Sequence, residues 1–411
     1  MKIAYIFHPE WDPRGAASSA IWNYEVTRRL ARTCDVTVYQ GQSSSQERVE
    51  CHEGVYYRSI SVGCDQHLLR RVIGSFRRRG TERTNFIASD LCYAGYALQV
   101  ANDLRQRKCD IVHIHNFPQF VPIIKALNPG VKIVLHNHGE WLTQVPWNRI
   151  ERKLRKIDLI IGCSEFISDK IRQRFPRFAK HCHTVYMGVD PDHFCAKSVA
   201  TADGINGVKR LLFVGRISPE KGLHILLEAL EKVVVRYPKT HLQIVGPDWV
   251  IPPELLIEWC SDPTLLELKR FKNVNYRSYL QSSLSSALVG HVTFCSLIPH
   301  RDTVSCYHDA DIFVNPSYYE SLGMSTIEAM ACQLPVVTTD VGGVPEVVER
   351  GKTGTLVVPG DGDALAEAIL CLLGNNKLRL SMAKAARQKA IEVFSWGRIC
   401  ERLIGLYKSV N

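Results

Sequence analysis

The sequence predicts an α/β protein built from two doubly wound domains, each around a mainly parallel sheet. Short apolar runs alternate with longer amphipathic stretches along the whole chain, which is typical of repeated β-α units. The length of 411 residues suits two or three domains. No short internal repeat is visible, so a solenoid is disfavoured.

In the first half of the chain, each predicted strand is followed by polar or helix-forming sequence. The first helix is predicted over residues 18–31, with a serine N-cap and apolar residues along one face. The predicted strands are residues 2–7, 36–39, 111–115, 132–136, 159–163 and 184–187.

A second series of strands follows a segment of glycine, aspartate and small residues at 201–207, which we interpret as a linker. The sequence from residue 363 onward has helical periodicity. The predicted strands of this half are residues 210–214, 242–245, 292–295, 312–315, 335–339 and 354–358.

Composition excludes several classes of protein. With 45% hydrophobic and 22% charged residues, the chain is neither disordered nor collagen-like, and no apolar run approaches the about 20 residues of a membrane span. The 14 cysteines form no C-x-x-C pair, so we expect a reducing compartment. The net charge of +10 favours an anionic partner without selecting one. Four cysteines in apolar surroundings are expected to be buried: Cys92, Cys163, Cys332 and Cys371.

The first chemical motif is residues 213–222, a strand end followed by a loop and a helix that begins near Gly222. Loops at the carboxyl ends of parallel strands face the ligand crevice, so Arg216 and Lys221 are predicted to point into it. A planar guanidinium and a compact ammonium together suit a diphosphate. Two solvated cations beside a helix start are the alternative.

The second motif is residues 315–331, again a strand end that leads into a helix. Amides near the helix start could receive phosphate oxygens. Glu320 lies at this start, and Glu328 would lie on the order of 12 Å further along if the stretch were helical. That separation suits a nucleotide sugar, with one carboxylate at each end. A first-turn anion and a solvated helix residue are the alternative.

These residues carry a resemblance to a known family. Residues 213–222, the Glu320 and Glu328 pair, 335–348 and 351–361 look like retaining GT-B glycosyltransferases of the glycosyl transferase group 1 (GT4) family. The resemblance covers residues 208–375 closely. In the first half it is patchier and is carried by residues 110–115, 134–139 and 187–190, with Phe194.

The resemblance implies two Rossmann-like domains that face a central cleft. Residues 1–200 would bind the acceptor and residues 208–385 the nucleotide sugar, with a helical tail over 386–411 that packs back toward the first domain. It further implies transfer of a hexose, with retention of configuration and no metal or other cofactor, to a hydroxyl on a glycan, lipid or small molecule. A UDP-sugar is the favoured donor and GDP-mannose is open.

Residue roles follow from the same resemblance. Arg216 and Lys221 would contact the diphosphate, Glu328 the ribose and Glu320 the donor sugar. His138 is the best match for the family's cleft histidine, with His136 a weaker candidate, while simple packing is the structural alternative. The remaining candidates are Gly15, Leu322, Gly323, Met324 and Ser325 for the donor, and Ser296 and Leu297 near the base.

Three positions depart from the family pattern. Ala16 follows Gly15 where a second glycine is usual, and it fits if its φ is below zero. Gln333 stands at a helix end where glycine is usual, which predicts a left-handed non-glycine residue. Ser296 also replaces a usual glycine, so the base preference is open.

Residues 67–83 form a basic segment with six arginines, one acid and apolar residues on one helical face. One prediction is that this segment lies on an anionic membrane or holds a phosphorylated acceptor. The alternative is a solvated helix packed on its own domain. The protein is expected to be cytoplasmic, either free or peripheral at the inner membrane face, without a nucleic-acid partner. The arginines proposed for this surface are Arg70, Arg71, Arg77, Arg78 and Arg79.

Two other functions use the same architecture. A nucleotide-sugar epimerase would form product without an acceptor, and a non-catalytic sugar-nucleotide-binding protein would bind donor without turnover. A dinucleotide dehydrogenase is disfavoured because no G-x-G-x-x-G follows the first strand.

Overall fold

The computed structural model describes residues 1–42, 48–62, 92–197, 207–248 and 263–411. The chain divides into two units, one of Met1–Tyr186 with Ile399–Asn411 and one of Met187–Arg398. The divisions lie at Tyr186, ahead of the linker predicted at 201–207, and at Arg398, within the tail predicted over 386–411. Each unit contains a sheet dominated by parallel pairs, which confirms the predicted α/β class.

The first unit contains an eight-stranded sheet in the order β3-β4-β2-β1-β5-β6-β7-β8. All neighbouring strands are parallel except the β3–β4 pair. The strand predicted at 184–187 lies earlier in the chain, because β8 ends at Thr184. The strands are β1 (Lys2–Ile6), β2 (Asp35–Gln42), β3 (Arg48–His52), β4 (Val55–Ser61), β5 (Ile111–His115), β6 (Lys132–Asn137), β7 (Leu159–Gly162) and β8 (Cys182–Thr184).

The β3–β4 hairpin was not predicted from the sequence. Its turn contains Glu53 and Gly54, both with positive φ, at 49° and 79°. Two consecutive positive φ values are the signature of the tight turns that suit the twist of a hairpin. Because β3 is mostly polar, it contains no apolar run that would predict a strand.

The helices of the first unit connect these strands. The first of them begins at Ser18, and its N-cap is Ala17, which makes no side-chain capping bond; the predicted serine cap was therefore wrong. The helices are α1 (Ser18–Leu30), α2 (Ala94–Arg107), α3 (Val121–Leu127), α4 (Trp141–Gln144), α5 (Trp147–Leu154) and α6 (Glu165–Arg174).

The second unit contains a six-stranded sheet in the order β11-β10-β9-β12-β13-β14. All of its strand pairs are parallel, and its apolar residues form a core with the helices on the sheet. The predicted strands of this half are present. They are β9 (Lys209–Val214), β10 (Thr240–Val245), β11 (Val292–Cys295), β12 (Ile312–Asn315), β13 (Val336–Thr339) and β14 (Thr355–Val357).

The helical periodicity predicted from residue 363 onward is confirmed, since three helices occupy most of that stretch. The helices of this half of the chain are α7 (Leu223–Arg236), α8 (Tyr276–Ser282), α9 (Val304–Asp309), α10 (Met324–Ala331), α11 (Val344–Val347), α12 (Gly362–Gly374), α13 (Asn376–Phe394) and α14 (Trp396–Val410).

Each sheet has a switch point at which the chain reverses the direction in which strands are added. In the first sheet β1 lies between β2 and β5, and in the second sheet β9 lies between β10 and β12. Ligands of open parallel sheets bind beyond the carboxyl ends of the strands at such points. The loops that follow β1, β5, β9 and β12 are therefore where a site is expected.

Other predictions from the sequence concern cysteines, a basic segment and membrane-spanning helices. Cys92, Cys163 and Cys332 are buried as predicted, whereas Cys371 is exposed on α12, contrary to expectation. The basic segment 67–83, with Arg70, Arg71, Arg77, Arg78 and Arg79, lies outside the described residues. Within the described ranges, no helix combines the length and apolar character needed to cross a bilayer.

Candidate functional site

The loop after β9 places two cations at the switch point of the second sheet. The side chains of Arg216 and Lys221 are 26% and 13% exposed, so the alternative of two solvated surface cations is wrong. Arg216 Nη2 donates to Glu220 Oε1 at 2.8 Å, and Ser218 Oγ donates to the same oxygen at 2.6 Å. Because Glu220 is buried, this network fixes the base of the loop.

Gly222 brings this loop against the loop that follows β12. Its φ is +66°, and a Cβ at this position would lie 2.1 Å from the carbonyl oxygen of Pro316. The amide of Tyr318 also donates to the Glu220 carbonyl at 2.8 Å. A side chain at residue 222 would separate the two loops, so glycine is required for their close approach.

Glu320 forms an ion pair with Lys221 where these loops meet. Lys221 Nζ donates to Glu320 Oε1 at 2.5 Å, and Asn315 Nδ2 and Ser317 Oγ donate to the same oxygen at 3.3 and 3.2 Å. Burial by itself raises the pKa of Glu320, but the charge and hydrogen bond of Lys221 and the Asn315 amide outweigh it. The net pKa lies below the ordinary value, so Glu320 is an anion at neutral pH.

Glu328 is buried on α10, with a relative exposure of 3%, so the alternative of a solvated helix residue is wrong. His300 Nε2 lies 2.6 Å from Glu328 Oε1, and the Tyr307 hydroxyl donates to Oε2 at 2.8 Å. Burial and the neighbouring Glu328 raise the pKa of Tyr307 well above its ordinary value, which keeps the hydroxyl a donor. Each carboxylate oxygen is thus held by one ring or hydroxyl group.

The separation predicted for Glu320 and Glu328 assumed a helix between them, and that condition is not met. The helix α10 begins at Met324, and its N-cap is Gly323 with a φ of 97°. The chain from Glu320 to Leu322 is irregular, so the axial separation estimated for a helix does not apply. The first N–H groups of a helix lack intrahelical acceptors, which leaves the amides around Met324 and Ser325 suited to an anion.

Three other predicted donor residues belong to other loops. Ser296 and Leu297 follow β11, the edge strand of the second sheet, and both are exposed. Gly15 belongs to the first unit, where its N–H donates to the Asp12 carbonyl in the loop between β1 and α1. Ala16 does not have a positive φ, which is the condition for an alanine to fit at this position.

His138 follows β6 directly and lies in the first unit. Its backbone N–H donates to Asn116 Oδ1 at 2.9 Å, and its Nε2 lies 2.8 Å from His115 Nδ1. Burial lowers the pKa of His138 to about 3, so the imidazole is neutral at pH 7. The residue as a whole is half-buried.

Two further histidines make a second pair beside the first. His113 Nε2 lies 3.2 Å from His136 Nδ1, and His113 Nδ1 lies 2.7 Å from the Tyr407 hydroxyl on α14. The Tyr407 hydroxyl in turn lies 2.9 Å from that of Tyr5. Burial lowers the pKa of His113, His115 and His136 well below the ordinary value, with neighbouring histidines adding to the effect.

One ring nitrogen from each of His113, His115 and His136 lies within 4.8 Å of the others, a spacing that could hold a metal ion. Among the described residues, the charged groups that shift the pKa of these rings are other histidines. A divalent cation there would be a buried charge without an anionic partner, which is costly. The expectation of chemistry without a metal stays a prediction.

Several residues of the site were missed by sequence reasoning. Asn315 and Ser317 fall inside the quoted motif and could have been singled out as short polar residues after a strand. His300 and Tyr307 precede β12 and have no spacing relation to Glu328, so no local pattern could have identified them.

Comparison with known proteins agrees with the fold and with the motifs. Residues 202–389 match the glycosyl transferases group 1, and residues 20–193 match glycosyltransferase family 4. Spore coat protein SA of Bacillus subtilis is 30% identical over 327 residues, which cover 76% of this chain and 82% of that protein. The putative glycosyltransferase YtcC of the same organism is 30% identical over 329 residues, or 77% of this chain and 76% of that protein.

Solved structures share the architecture. Sucrose-phosphate synthase from Thermosynechococcus elongatus has a TM-score of 0.71 at 21% identity and covers 99% of this chain and 98% of its own. Anabaena HepE, solved with UDP and glucose, has a TM-score of 0.69 at 18% identity and covers both chains fully, at 100%. The fold and site define a glycosyltransferase with the GT-B fold that transfers sugars from nucleotide sugars. The chain belongs to the glycosyl transferase group 1 (GT4) family.

Proposed function

We propose that this glycosyltransferase moves a hexose from a nucleotide diphosphate sugar to an acceptor hydroxyl, with retention of anomeric configuration and without a metal or other cofactor. The favoured donor is a UDP-sugar, and GDP-mannose is the alternative. The acceptor is a glycan, lipid or small molecule. The observation that carries the proposal is the convergence of Arg216, Lys221 and Glu320 at the switch point of the second sheet.

The cations would act on the leaving diphosphate. Glycosyl transfer places negative charge on the departing group, and fixed cations that meet it in the transition state lower the barrier. Lys221 is held 2.5 Å from Glu320, so a diphosphate would share an ammonium that is already positioned. The amides of Leu322, Gly323, Met324 and Ser325 would complete the phosphate site at the start of α10.

The carboxylates would hold the two ends of the donor. Glu320, whose pKa is lowered, is an anion that can orient sugar hydroxyls and stabilise positive charge at the anomeric carbon. Glu328 is oriented by His300 and Tyr307 and retains acceptor capacity for the ribose hydroxyls. His138 and Gly15 of the first unit would contact the sugar and the phosphate, and Ser296 and Leu297 the base.

The preference for UDP rests on structural relatives. HepE was solved with UDP-glucose, and a trehalose-6-phosphate enzyme of the same fold was solved with UDP-2-fluoro glucose. A cytoplasmic location, and contact of the segment 67–83 with an anionic surface, are further parts of this proposal.

A non-catalytic role is the second candidate, because one relative is a spore coat protein. It predicts that a nucleotide sugar binds but that no nucleotide is released with any acceptor in a broad panel. A nucleotide-sugar epimerase would instead convert the donor without an acceptor. Product analysis with and without acceptors separates the three functions.

Thermal shift measurements with UDP, GDP and ADP sugars test the donor site, because a ligand that binds the folded state stabilises it in proportion to the logarithm of its concentration over Kd. For the best nucleotide, Lys221→Ala is expected to raise Kd by about 10-fold or more, the effect of losing a charged hydrogen bond. The control is Lys352→Ala, which removes an exposed lysine paired with Glu349. Unchanged affinity in both Arg216→Ala and Lys221→Ala would contradict the proposed site.

A further inference from the structure

An exposed tryptophan lies in the loop that follows the first strand. Trp11 comes after β1 and before α1, and its relative exposure is 42%. Tryptophan is on average among the more deeply buried residues, because its ring removes a large apolar area from water on folding. An exposed indole beyond the carboxyl end of a central parallel strand is therefore a candidate contact for a ligand.

The indole is held in place by an imidazole. The rings of His8 and Trp11 stack, with their centroids 4.5 Å apart and their planes inclined by 15°. The Glu10 N–H donates to His8 Nδ1 at 3.1 Å, which fixes the imidazole relative to its own loop. An aromatic ring whose position is already fixed loses little conformational entropy when a ligand packs on it.

Rings from two other segments support the His8 side chain. Phe117, which follows β5, meets His8 edge to face at 5.1 Å, and Tyr93, the N-cap residue of α2, does so at 5.7 Å. Both of these rings are buried. Since β1 and β5 are neighbours at the switch point of the first sheet, the aromatic cluster joins the loops beyond both strands. Doubly wound sheets bind ligands at this place.

Carboxylates flank the indole along the chain. Glu10 and Asp12 are both exposed, and Asp12 Oδ1 accepts a hydrogen bond from the Arg14 N–H at 2.8 Å. The guanidinium of Arg14 forms an ion pair with Glu50 at 2.9 Å. The loop is thus locally acidic in a chain whose net charge is +10. Carboxylates accept hydrogen bonds from hydroxyl groups and repel phosphate and other anions.

We propose that Trp11 is the stacking platform for a neutral saccharide, which makes the acceptor of this glycosyltransferase a glycan or a simple glycoside. The negative face of an indole attracts the partly positive C–H groups on one face of a pyranose ring, while the hydroxyls at the ring edge donate to carboxylates. An acyl chain has no hydroxyl to offer Glu10 and Asp12, and a phosphorylated acceptor would bring like charges together. The role as acceptor rests on the proposed function, whereas the binding of a saccharide does not.

Binding is tested with the full chain and four probes: methyl β-D-glucoside, methyl β-D-galactoside, methyl α-D-mannoside and methyl N-acetyl-β-D-glucosaminide. Saturation-transfer NMR is expected to show at least one bound glycoside, with the C–H protons of one ring face most strongly saturated. For the glycoside that binds best, Trp11→Leu should raise Kd by about 5-fold, the order of one aromatic stacking contact. Failure of all four probes to bind wild type would overturn the inference.

Two further variants separate the indole face from general effects. Trp11→Phe keeps a smaller aromatic face and should raise Kd by less than Trp11→Leu, so it also serves as the test if the leucine variant does not fold. Tyr56→Leu is the matched control, because Tyr56 is 43% exposed on β4 of the same unit and its Kd should equal that of wild type. Equal Kd values for wild type and both Trp11 variants would contradict the inference.

Two other ligands test the chemical class. The uronic acid counterpart of the best glycoside carries a carboxylate and should bind more weakly, with the difference shrinking as ionic strength rises. Octan-1-ol, which represents an acyl chain, should not displace the glycoside. Tighter binding of the uronic acid would overturn the assignment of a neutral ligand, and displacement by octan-1-ol would identify an acyl chain as the occupant.

Turnover gives a separate readout. With the nucleotide sugar that binds best, and the best glycoside as acceptor, Trp11→Leu should raise the acceptor KM by about 5-fold and leave kcat and the donor KM close to wild type. An unchanged acceptor KM in an active enzyme would reject the inference and leave the proposed function intact. A wild type that binds the glycoside through Trp11 but releases no nucleotide would instead reject the proposed function, and the saccharide site would stand.

Discussion

At the residue scale, the site depends on a carboxylate and a lysine that are far apart in sequence. Glu320 receives hydrogen bonds from Lys221, Asn315 and Ser317, all at one oxygen. Both partners of the ion pair are mostly buried, at 13% and 14% side-chain exposure. A charge in such a position is stable only with its partner, so the two residues depend on each other.

We expect Glu320→Gln to lower the free energy of unfolding at pH 7 by about 3 kcal/mol, because it leaves Lys221 without its anion. The pKa of Glu320 is lowered in the folded state, so its contribution is present above the ordinary carboxyl value and is lost as pH falls through the folded-state pKa. The difference between wild type and variant should therefore shrink below about pH 4.3. Urea unfolding of both proteins across this range measures it.

Asp340→Asn is the matched control, since Asp340 contacts Arg350 at the surface of the same unit. Exposed ion pairs contribute little, so this variant should change stability much less. An equal loss in the two variants would show that burial does not strengthen the Lys221–Glu320 pair.

At the element scale, the C-terminus of α10 has a glutamine where helices usually have a glycine. Leu334 N–H donates to the Ala329 carbonyl and Gln333 N–H to that of Met330, the bond pattern of a Schellman motif. Gln333 occupies the position usually taken by glycine and has a φ of 59°, which confirms the left-handed conformation predicted from the sequence. The hydrogen bonds of the helix end are therefore made at the cost of backbone strain.

Gln333→Gly is expected to stabilise the protein by about 1 kcal/mol, because glycine adopts positive φ without the Cβ clash. Gln333 is exposed, so no packing is lost. The urea midpoint should rise at constant m-value.

Gln333→Ala is the companion variant, because it shortens the side chain but keeps the Cβ. Its stability should stay close to that of wild type. If Gln333→Ala raised the free energy of unfolding as much as Gln333→Gly, the glutamine side chain beyond Cβ, and not the backbone conformation, would be what destabilises wild type.

At the scale of the whole molecule, buried histidines couple stability to pH. Burial holds the pKa of His113, His115 and His136 well below the ordinary value, and that of His138 at about 3. The unfolded chain binds protons at these residues near pH 6.5 while the folded chain does not. Stability is therefore fully present above that pH and falls as the solution becomes more acidic.

His136→Gln should reduce the slope of unfolding free energy against pH by about 1.4 kcal/mol per pH unit in the range below 6.5, because one proton-binding site is removed from the unfolded state. Urea unfolding at several values between about pH 5 and 7.5 gives this slope. Leu135→Ala, in the same buried strand, should destabilise the protein without a change in slope. Parallel pH profiles for wild type and His136→Gln would contradict the coupling.

Much of the fold could be read from neighbouring residues. Apolar runs located the strands of both sheets except the polar β3, its partner β4 and β8, which lies earlier in the chain than predicted. The candidate donor residues Arg216, Lys221 and Glu320 were identifiable because each lies between the carboxyl end of a strand and the next α-helix, where parallel sheets bind ligands.

The sequence alone determined most of the segments that become strands and helices and the polar residues that follow them, because these depend on local periodicity and on backbone preferences within a few residues. The tertiary structure decided which side chains meet. Lys221 with Glu320, His300 and Tyr307 with Glu328, and His113 with Tyr407 are hydrogen-bonded across separations of 99, 28, 21 and 294 residues. Such pairs, and the lowered pKa values that follow from burial, arise only once the chain has packed, since a hydrogen bond depends on distance in space rather than along the sequence.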